Sequence, residues 1–343
     1  MSLSGKPILQ ALRGERVIPA PFWLMRQAGR YLPEYRALRA ATGSFLDLCY
    51  TPERAAEATL QPLRRFDMDA AIIFSDILLV PQALGQELRF TEGAGPALAP
   101  VRGRAAAAVL ELEGLTRRLA PVYRALELVA RNLAPDKTLI GFAGAPWTIA
   151  TYMVEGGPSR DFAQVKAFAS DDPSGFAALI NLLVEAVALH LMAQIEAGAE
   201  VVQLFDTWAG IVVADEFERL VIAPTRRIVD AVKKRYPDTP IIGFPRGIGP
   251  LYDRYFCDSG VDALSIDAGV SLKTAAGLQK HGPVQGNLDP QILRTGGKAL
   301  DDAVHGILAA LGEAPFIFNL GHGVLPDTPL EHVARLAALI RRA

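Results

Sequence analysis

Three polar side chains that could bind an anion directly follow a short apolar run near the start of the chain. Residues 21–25 have the length and composition of a buried strand, and Arg26, Gln27 and Arg30 come immediately after it. Guanidinium groups are almost never fully buried without partners, so we expect these side chains to face water or an anionic ligand. Arg39 follows a little further along the chain. The run therefore predicts a mouth that binds carboxylates.

Other chemically capable side chains also come just beyond apolar runs of the chain. They are Asp76, Tyr152, Asp206, Thr207, Arg246, Asp267, Asn287 and His322. Asp76 is followed by an apolar wall at residues 77–80, which indicates a carboxylate in an apolar pocket. Such a group binds a cation or several N–H donors, or has a raised pKa. The alternative is that Asp76 only caps the next helix.

The remaining candidates have plainer alternatives. Asp206 and Asp267 are equally consistent with structural roles, in which they cap helices or orient arginines. Tyr152 is as consistent with packing as with ligand contact. His322 lies between two glycines in Asn-Leu-Gly-His-Gly, which favours binding or catalysis over a structural role. His190, on an apolar helix, is expected only to pack.

The elements that must position these side chains are strands alternating with helices. Eight apolar runs are predicted as strands: residues 21–25, 70–75, 139–144, 201–206, 241–245, 263–267, 284–288 and 316–319. Helical patterns between them include residues 51–66, 175–197, 214–235 and 272–281. Eight such units predict an α/β protein with a (β/α)8 TIM barrel, whose active site lies at the carboxyl ends of the strands. A doubly wound sheet is the alternative, but no GxGxxG follows the first strand and no Walker A sequence occurs.

The chain shows no sharp domain boundary, so we expect a single domain over residues 1–343. Residues 86–104 are rich in Gly, Ala and Pro and predict a small loop or hairpin excursion from the barrel. Residues 105–132 predict an ordinary surface helix, which Pro121 could divide.

Composition excludes several classes of function. The chain has 343 residues, 50% hydrophobic and 21% charged, and a net charge of −2, so no general basic field for nucleic acid exists. Cys49 and Cys257 form no Cys-x-x-Cys spacing, which argues against a disulfide framework and a zinc site. The first 16 residues lack the apolar segment of a signal peptide, and charges interrupt the apolar run at 179–199. We expect a cytoplasmic protein that spans no membrane.

The same side chains limit the chemistry. No lysine lies just beyond a predicted strand, which disfavours a Schiff-base aldolase, and no GxSxG nucleophile elbow is present. Arginines, a half-buried carboxylate, a hydroxyl, a phenol and an imidazole remain. They predict a multiply anionic small ligand with an apolar or aromatic body, and acid–base chemistry without a cofactor.

Several motifs resemble one known family over nearly the whole chain. They are Met25-Arg26-Gln27-Ala28-Gly29-Arg30-Tyr31-Leu32-Pro33-Glu34, Phe74-Ser75-Asp76-Ile77-Leu78, Gly141-Phe142-Ala143-Gly144-Ala145-Pro146-Trp147-Thr148, Thr151-Tyr152-Met153-Val154-Glu155-Gly156, Gln203-Leu204-Phe205-Asp206-Thr207-Trp208-Ala209-Gly210, Gln285-Gly286-Asn287-Leu288-Asp289-Pro290 and Asn319-Leu320-Gly321-His322-Gly323. The chain resembles the uroporphyrinogen decarboxylases of haem and chlorophyll synthesis. It departs from them at Thr207, where family members usually carry serine.

The resemblance implies a carboxy-lyase that converts the four acetate arms of uroporphyrinogen III to methyls, giving coproporphyrinogen III and four CO2. It implies no metal, no organic cofactor and a homodimer. It assigns catalysis to Asp76, Arg26 and Tyr152. It assigns substrate binding to Arg26, Gln27, Arg30, Arg39, Asp76, Tyr152, Thr207 and His322.

Two other functions are compatible with the predicted barrel. A corrinoid-dependent methyltransferase would require a zinc site of His and Cys ligands, for which the sequence offers no motif. A non-catalytic tetrapyrrole carrier would use His322 to bind haem iron, and would release no CO2 from uroporphyrinogen.

Overall fold

A parallel sheet forms the centre of the computed structural model, which describes residues 5–91 and 95–342. Within these residues there are nine strands, listed in chain order: β1 Ala70–Ile72, β2 Leu88–Thr91, β3 Gly95–Leu98, β4 Thr138–Gly144, β5 Val201–Asp206, β6 Ile241–Pro245, β7 Ala263–Ser265, β8 Val284–Leu288 and β9 Phe316–Leu320. Seven of them form one sheet in the order β1-β4-β5-β6-β7-β8-β9, with every pair parallel. The fold is therefore α/β with a curled parallel sheet.

The sheet is buried on both faces, because helices cover its outer side and side chains fill its inner side. All residues of β6, β8 and β9 are buried, as expected for parallel strands linked by helical crossovers. The predicted runs 201–206, 241–245 and 284–288 are confirmed at both ends. Since neighbouring strands run in the same direction, their carboxyl ends meet at one edge of the sheet.

Seventeen α-helices occur in the described part of the chain. They are α1 Pro7–Leu12, α2 Pro33–Ala40, α3 Phe45–Tyr50, α4 Pro52–Phe66, α5 Leu79–Ala83, α6 Arg104–Ala107, α7 Leu115–Arg118, α8 Ala120–Asn132, α9 Pro146–Glu155, α10 Ala163–Asp171, α11 Pro173–Glu196, α12 Ala223–Arg235, α13 Tyr252–Asp258, α14 Leu272–Leu278, α15 Pro290–Thr295, α16 Gly297–Leu311 and α17 Leu330–Arg341.

The prediction of a helix over residues 105–132, divided at most at Pro121, is wrong. This region contains α6, α7 and α8, and Gly114 precedes α7 with φ of +75°, a conformation that glycine adopts without strain. Pro121 lies in the first turn of α8, where its missing N–H costs nothing. The proline therefore marks where a helix begins.

The predicted excursion at 86–104 contains an antiparallel hairpin. Strands β2 and β3 pair with Leu88 opposite Leu98. Backbone N–H groups anchor its far end to α9, from Leu98 to the Gly156 carbonyl at 2.9 Å and from Val101 to the Met153 carbonyl at 2.8 Å. The hairpin thus packs beside the helix that carries Tyr152.

The first predicted strand, residues 21–25, is present only as a single parallel bridge between Phe22 and Phe318 of β9. Side chains replace the rest of its ladder: Asp69 Oδ2 accepts from the Phe22 N–H at 2.8 Å, and Asn319 Oδ1 accepts from the Met25 N–H at 3.0 Å. On the β1 side, the Asp69 N–H donates to the Phe22 carbonyl at 2.9 Å. The segment therefore lies between β9 and the start of β1.

The interior of the curled sheet is filled. Trp23 Nε1 donates to Gln285 Oε1 at 2.9 Å, and Gln285 Nε2 donates to Gln203 Oε1 and Ser265 Oγ, both at 3.1 Å. These four side chains are fully buried. Apolar residues of α1 pack with those of the inner strand faces, so this helix covers the interior.

Helix α11 is long and apolar enough, by length and composition alone, to cross a membrane. It packs against α9, α12 and β4, and 56% of its most apolar window is buried within the protein. This packing is that of a helix covering one face of the sheet.

Candidate active site

The edge of the sheet where β1 and β4–β9 end is called the rim here. In parallel α/β barrels, catalytic groups lie at this edge. The predicted site residues lie in the segments that follow these strands or residues 21–25.

Arg26 reaches the rim in a strained backbone conformation. Its φ is +59°, in the left-handed region that non-glycine residues rarely adopt. Its side chain lies directly against Gly323, where any Cβ would overlap Arg26 Cδ. The guanidinium is exposed, and among the described residues it has no hydrogen bond or ion-pair partner. Backbone strain of this kind persists where the surrounding structure enforces it, often at functional sites.

Gln27 does not face water or a ligand as expected. It is 0% exposed; its Nε2 donates to the Ala70 carbonyl at 2.9 Å, and its Oε1 accepts from the Leu24 N–H at 3.0 Å. The expectation of exposure was wrong because the amide finds backbone partners in the turn and in β1. Its side chain therefore fixes the turn that presents Arg26.

Arg30 and Arg39 lie beside this turn. Arg30 is exposed, and in residues 5–91 and 95–342 its guanidinium has no hydrogen-bond partner. Arg39, on α2, is half-buried and donates to the Thr42 carbonyl at 3.1 Å. Burial raises the pKa of Tyr35 to about 12, and the charges of Arg39 and Arg30 oppose that rise. Both arginines are thus close to the aromatic wall that Tyr35 provides.

Asp76 follows β1 and is half-buried. Its Oδ1 accepts from the Leu78 N–H at 2.8 Å, just before α5. Within the described residues Oδ2 has no hydrogen-bond partner. Burial raises the pKa of this carboxyl to about 6, although the Leu78 N–H and the Arg26 charge act in the opposite direction. One oxygen therefore holds the turn before α5 without capping the helix, and the other remains available for a ligand.

Tyr152 and Thr207 occupy the next part of the rim. Tyr152, on α9, is half-buried, and its ring packs against Trp208 with centroids 6.0 Å apart. Burial raises the pKa of its phenol. The charge of Asp76 raises this pKa further, whereas the charge of Arg26 lowers it. Thr207 is half-buried directly after β5. The phenol is therefore protonated at neutral pH and can donate a hydrogen bond.

His322 follows β9 and is half-buried. Burial lowers its pKa to about 4, and the charges of Arg26 and Arg246 lower it further. The imidazole is therefore neutral at pH 7 and can both donate and accept a hydrogen bond. Arg26 thus lies close enough at the rim for its charge to lower the pKa of three other side chains: Asp76, Tyr152 and His322.

Asp206 and Asp267 hold loops of the rim together. Asp206 Oδ1 accepts from Thr148 Oγ1 at 2.5 Å, and Thr148 Oγ1 accepts from the Trp208 N–H at 3.0 Å. Asp267 accepts from the Gly247 N–H at 2.7 Å and the Tyr252 hydroxyl at 2.5 Å. The expected structural role is therefore present in each case. Within residues 5–91 and 95–342, however, its form differs from the expectation, because neither carboxylate hydrogen-bonds to an arginine or caps a helix.

The Thr148–Asp206 pair was not predicted. Thr148 lies in α9 and Asp206 ends β5, so the two meet only through tertiary packing. Asp206 is 1% exposed, and its Oδ2 has no partner among the described residues. Burial raises its pKa to about 7, and the Thr148 hydrogen bond only partly opposes this. His190, by contrast, packs as expected, with Nδ1 3.0 Å from the Tyr123 hydroxyl.

We expect Asp206→Asn to change how stability depends on pH. The native carboxyl is protonated up to about pH 7 when folded, whereas its ordinary pKa is 3.8. The folded state therefore binds more protons between these values, and the Asp206 contribution to the free energy of unfolding falls as pH rises through this window. Asparagine does not titrate, so the stability of the variant relative to the native chain increases as pH rises through this window.

Urea unfolding at a series of pH values, with surface Asp302→Asn as control, measures the free energy of unfolding of each protein. Parallel profiles for native and Asp206→Asn would contradict it.

A surface depression away from the rim is lined by Glu34, Glu57, Gln61, Arg64 and Arg65. Its charges are already paired, Arg65 with Glu34 at 2.8 Å and Arg64 with Glu57 at 2.6 Å. We assign it no ligand, in contrast to the unpaired arginines at the rim.

The rim combines the guanidinium groups of Arg26 and Arg30, which have no partner in the described part of the chain, with a carboxylate, a phenol and a neutral imidazole. The cations suit carboxylate groups, which guanidinium binds through paired hydrogen bonds. The carboxylate of Asp76 suits N–H donors or a developing positive charge. The fold and the rim together define a parallel α/β enzyme whose rim side chains suit an anionic ligand.

Comparison with known proteins identifies the family. Residues 3–343 match the family described as uroporphyrinogen decarboxylase (URO-D). The uroporphyrinogen decarboxylase of Rhodospirillum rubrum is 53% identical over 341 residues, covering 99% of this chain and 98% of the relative. That of Brucella anthropi is 51% identical over 336 residues, covering 98% of each chain. The chain belongs to the uroporphyrinogen decarboxylase family.

Solved structures support the fold alone. A methyltransferase from Methanosarcina mazei aligns with a TM-score of 0.82 at 20% identity, over 98% of this chain and 97% of the other. A B12-independent methionine synthase from Shewanella aligns with a TM-score of 0.57 at 10% identity, over 85% and 88%. These identities are too low to carry an activity across.

Proposed function

We infer that this protein removes CO2 from the four acetate arms of uroporphyrinogen III and so forms coproporphyrinogen III in porphyrin synthesis. The observation that carries this inference is the family match over residues 3–343, with relatives about half identical over nearly their whole length. The methyltransferase with the same fold shares only 20% identity. The decarboxylase is therefore the better supported activity.

The charges of the rim suit this substrate. Uroporphyrinogen carries eight carboxylates around a ring of four pyrroles whose N–H groups point to the centre. We propose that Arg26, Arg30 and Arg39 bind carboxylate arms, since planar guanidinium pairs with carboxylate through two parallel hydrogen bonds. Tyr152, Thr207 and His322 hold further arms by hydrogen bonds. The Gln27 side chain is buried, so we propose that it positions Arg26 and does not bind a carboxylate arm.

We propose that Asp76 faces the pyrrole nitrogens through its free Oδ2. A carboxylate accepts hydrogen bonds at both oxygens only when ionised, so several N–H donors would hold it in that form. Decarboxylation needs an electron sink, which protonation of the adjacent pyrrole carbon provides. The resulting cation, which Asp76 stabilises electrostatically, accepts the electrons of the breaking carbon–carbon bond as CO2 leaves. A proton from water then adds to the exocyclic methylene to form the methyl group, and the ring carbon returns its proton to solvent.

Arg26 is the group we propose to meet the reacting acetate. A guanidinium is a poor acid near pH 7 because the pKa of arginine exceeds 12. The proton therefore reaches the pyrrole carbon through water, with Arg26 orienting the acetate. Thr207 keeps the hydroxyl of the usual serine and adds a methyl group.

We also propose that residues 21–25 close the sheet as the eighth strand of a (β/α)8 barrel in a single domain over residues 1–343. Support comes from the bonds of this segment to β9 on one side and to Asp69 on the other. Trp23 and Met25 also pack with inner residues of the other strands. A homodimer and a cytoplasmic location, without nucleic acid or membrane, remain predictions from the resemblance and the composition.

The activity is tested by anaerobic incubation of the purified protein with uroporphyrinogen III in the presence of a metal chelator. We expect the product to carry four carboxyl groups instead of eight, counted by mass spectrometry, with matching release of CO2. An unchanged substrate would overturn the proposal. A haem absorption band on adding haem, without CO2 release, would instead support a tetrapyrrole carrier.

A further inference from the structure

Three side chains with metal-binding atoms meet on the outer surface, away from the rim. Asp253 and Cys257 lie four residues apart on α13, so they share one face of the helix. His281 lies between α14 and β8. One ligand atom from each lies within 4.8 Å of the others, and all three residues are exposed.

The His281 ring contacts both of the other side chains. Its Nε2 lies 2.8 Å from Asp253 Oδ1, and Cys257 Sγ lies 3.5 Å from its Nδ1 and 3.6 Å from its Nε2. Lys280 Nζ also contacts Asp253 Oδ1, at 3.0 Å. A metal ion bound at Asp253 Oδ1 would displace Lys280 Nζ, which can move to Asp253 Oδ2, an oxygen without a partner among the described residues.

These separations are close to those of a tetrahedral zinc site. Zn–S bonds of about 2.3 Å and Zn–N and Zn–O bonds of about 2.0–2.1 Å place sulfur and nitrogen about 3.5 Å apart, and nitrogen and oxygen about 3.3 Å apart. The sulfur–nitrogen distance already matches, and the nitrogen–oxygen distance must lengthen by about 0.5 Å. Rotation of exposed side chains provides this at little cost.

We propose that Asp253, Cys257 and His281 bind a divalent zinc-type metal ion, with water as the fourth ligand. The ligand set mixes a thiolate, an imidazole and a carboxylate, which suits Zn²⁺ and disfavours Mg²⁺ or Ca²⁺. Binding releases the thiol proton of Cys257 to solvent, so affinity rises with pH.

This site is separate from the active site. His281 lies three residues before β8, at the amino end of that strand, opposite the rim. The sequence predicted no zinc site because neither cysteine has a Cys-x-x-Cys partner. The ligands come from α13 and from the loop after α14, so only the fold brings them together.

The test is a titration of the full-length, tag-free, reduced protein with Zn²⁺ by calorimetry and with Co²⁺ by absorption. We expect one equivalent to bind, with a thiolate-to-cobalt charge-transfer band in the near ultraviolet. Cys257→Ser should abolish that band and weaken Zn²⁺ binding at least about 10-fold. His281→Ala should weaken it similarly.

Two controls separate the cluster from general surface binding. Asp258→Asn changes a carboxylate next to the cluster on α13, and His305→Ala changes an exposed histidine on α16. Both should leave the affinity and the charge-transfer band unchanged. Absence of stoichiometric binding to the native protein, or an unchanged band in Cys257→Ser, would overturn the proposal. Circular dichroism of each variant verifies that it is folded.

Discussion

Asp76→Asn is expected to lower kcat by at least about 100-fold, with little change in the free energy of unfolding. In the proposed mechanism the Asp76 carboxylate stabilises the positive charge that develops on the pyrrole. Removing one preorganised electrostatic group of this kind costs about 10²–10³ in kcat. The fold should tolerate the change, because the asparagine oxygen can accept the Leu78 N–H bond that Oδ1 now accepts at 2.8 Å.

The pH dependence of kcat/KM gives a second readout for Asp76. Burial raises the pKa of its carboxyl to about 6, so the ionised fraction of the free enzyme increases as pH rises through that value. If the ionised form is the active one, kcat/KM rises over the same range. The residual activity of Asp76→Asn should lack this rise.

Anaerobic steady-state kinetics and urea unfolding test both expectations on the same preparations. Asp327→Asn, an exposed carboxylate that pairs with Arg294 at 3.2 Å, serves as the control and should keep native activity. Near-native kcat in Asp76→Asn would remove Asp76 from the mechanism. A large loss of stability would instead indicate a mainly structural role.

Arg26→Lys is expected to lower kcat/KM by about 100-fold. Lysine keeps the positive charge but cannot form two parallel hydrogen bonds to a carboxylate, and a charged hydrogen bond is worth about 1.5–3 kcal/mol. The Arg26 guanidinium is exposed and lacks a partner within the described residues, so the substitution disrupts no ion pair. The loss should therefore appear in catalysis rather than in folding.

The matched control is Arg124→Lys on α8, where the arginine pairs with Glu127 at 2.6 Å on the surface. That variant should keep native kcat/KM. Product analysis should also show accumulation of partly decarboxylated porphyrinogens with Arg26→Lys, since each round needs the same acetate contact. A change of less than about threefold in kcat/KM would show that charge alone suffices at position 26.

Most of the parallel sheet could be predicted from the sequence because strands buried on both faces leave uninterrupted apolar runs. For β5, β6 and β8 the predicted and observed bounds coincide. Candidate side chains at the rim followed from the same runs, since the residue after each strand lies at one edge. These predictions depend only on local composition and on the rule that parallel strands end together.

Features that depend on tertiary contacts were not predictable in the same way. Gln27 looked exposed because it is polar and directly follows Arg26, yet the carbonyl of Ala70 makes its burial favourable. The +59° φ of Arg26 leaves no signal in residue type, because arginine gives no preference for that region. The approach of His281 to Asp253 and Cys257 likewise requires two helices to pack, which no spacing along the chain indicates.

The filled interior of the sheet has a consequence for how four acetates could be processed. Trp23, Gln203, Ser265 and Gln285 occupy the space inside the strands, and α1 covers the interior. In the part of the chain that the structure describes, these side chains close the interior, so a macrocycle bound as proposed would enter and leave from the rim side. In the proposed mechanism, each further acetate therefore reaches Arg26 only if the ring turns within the site, or leaves and rebinds flipped through the same opening.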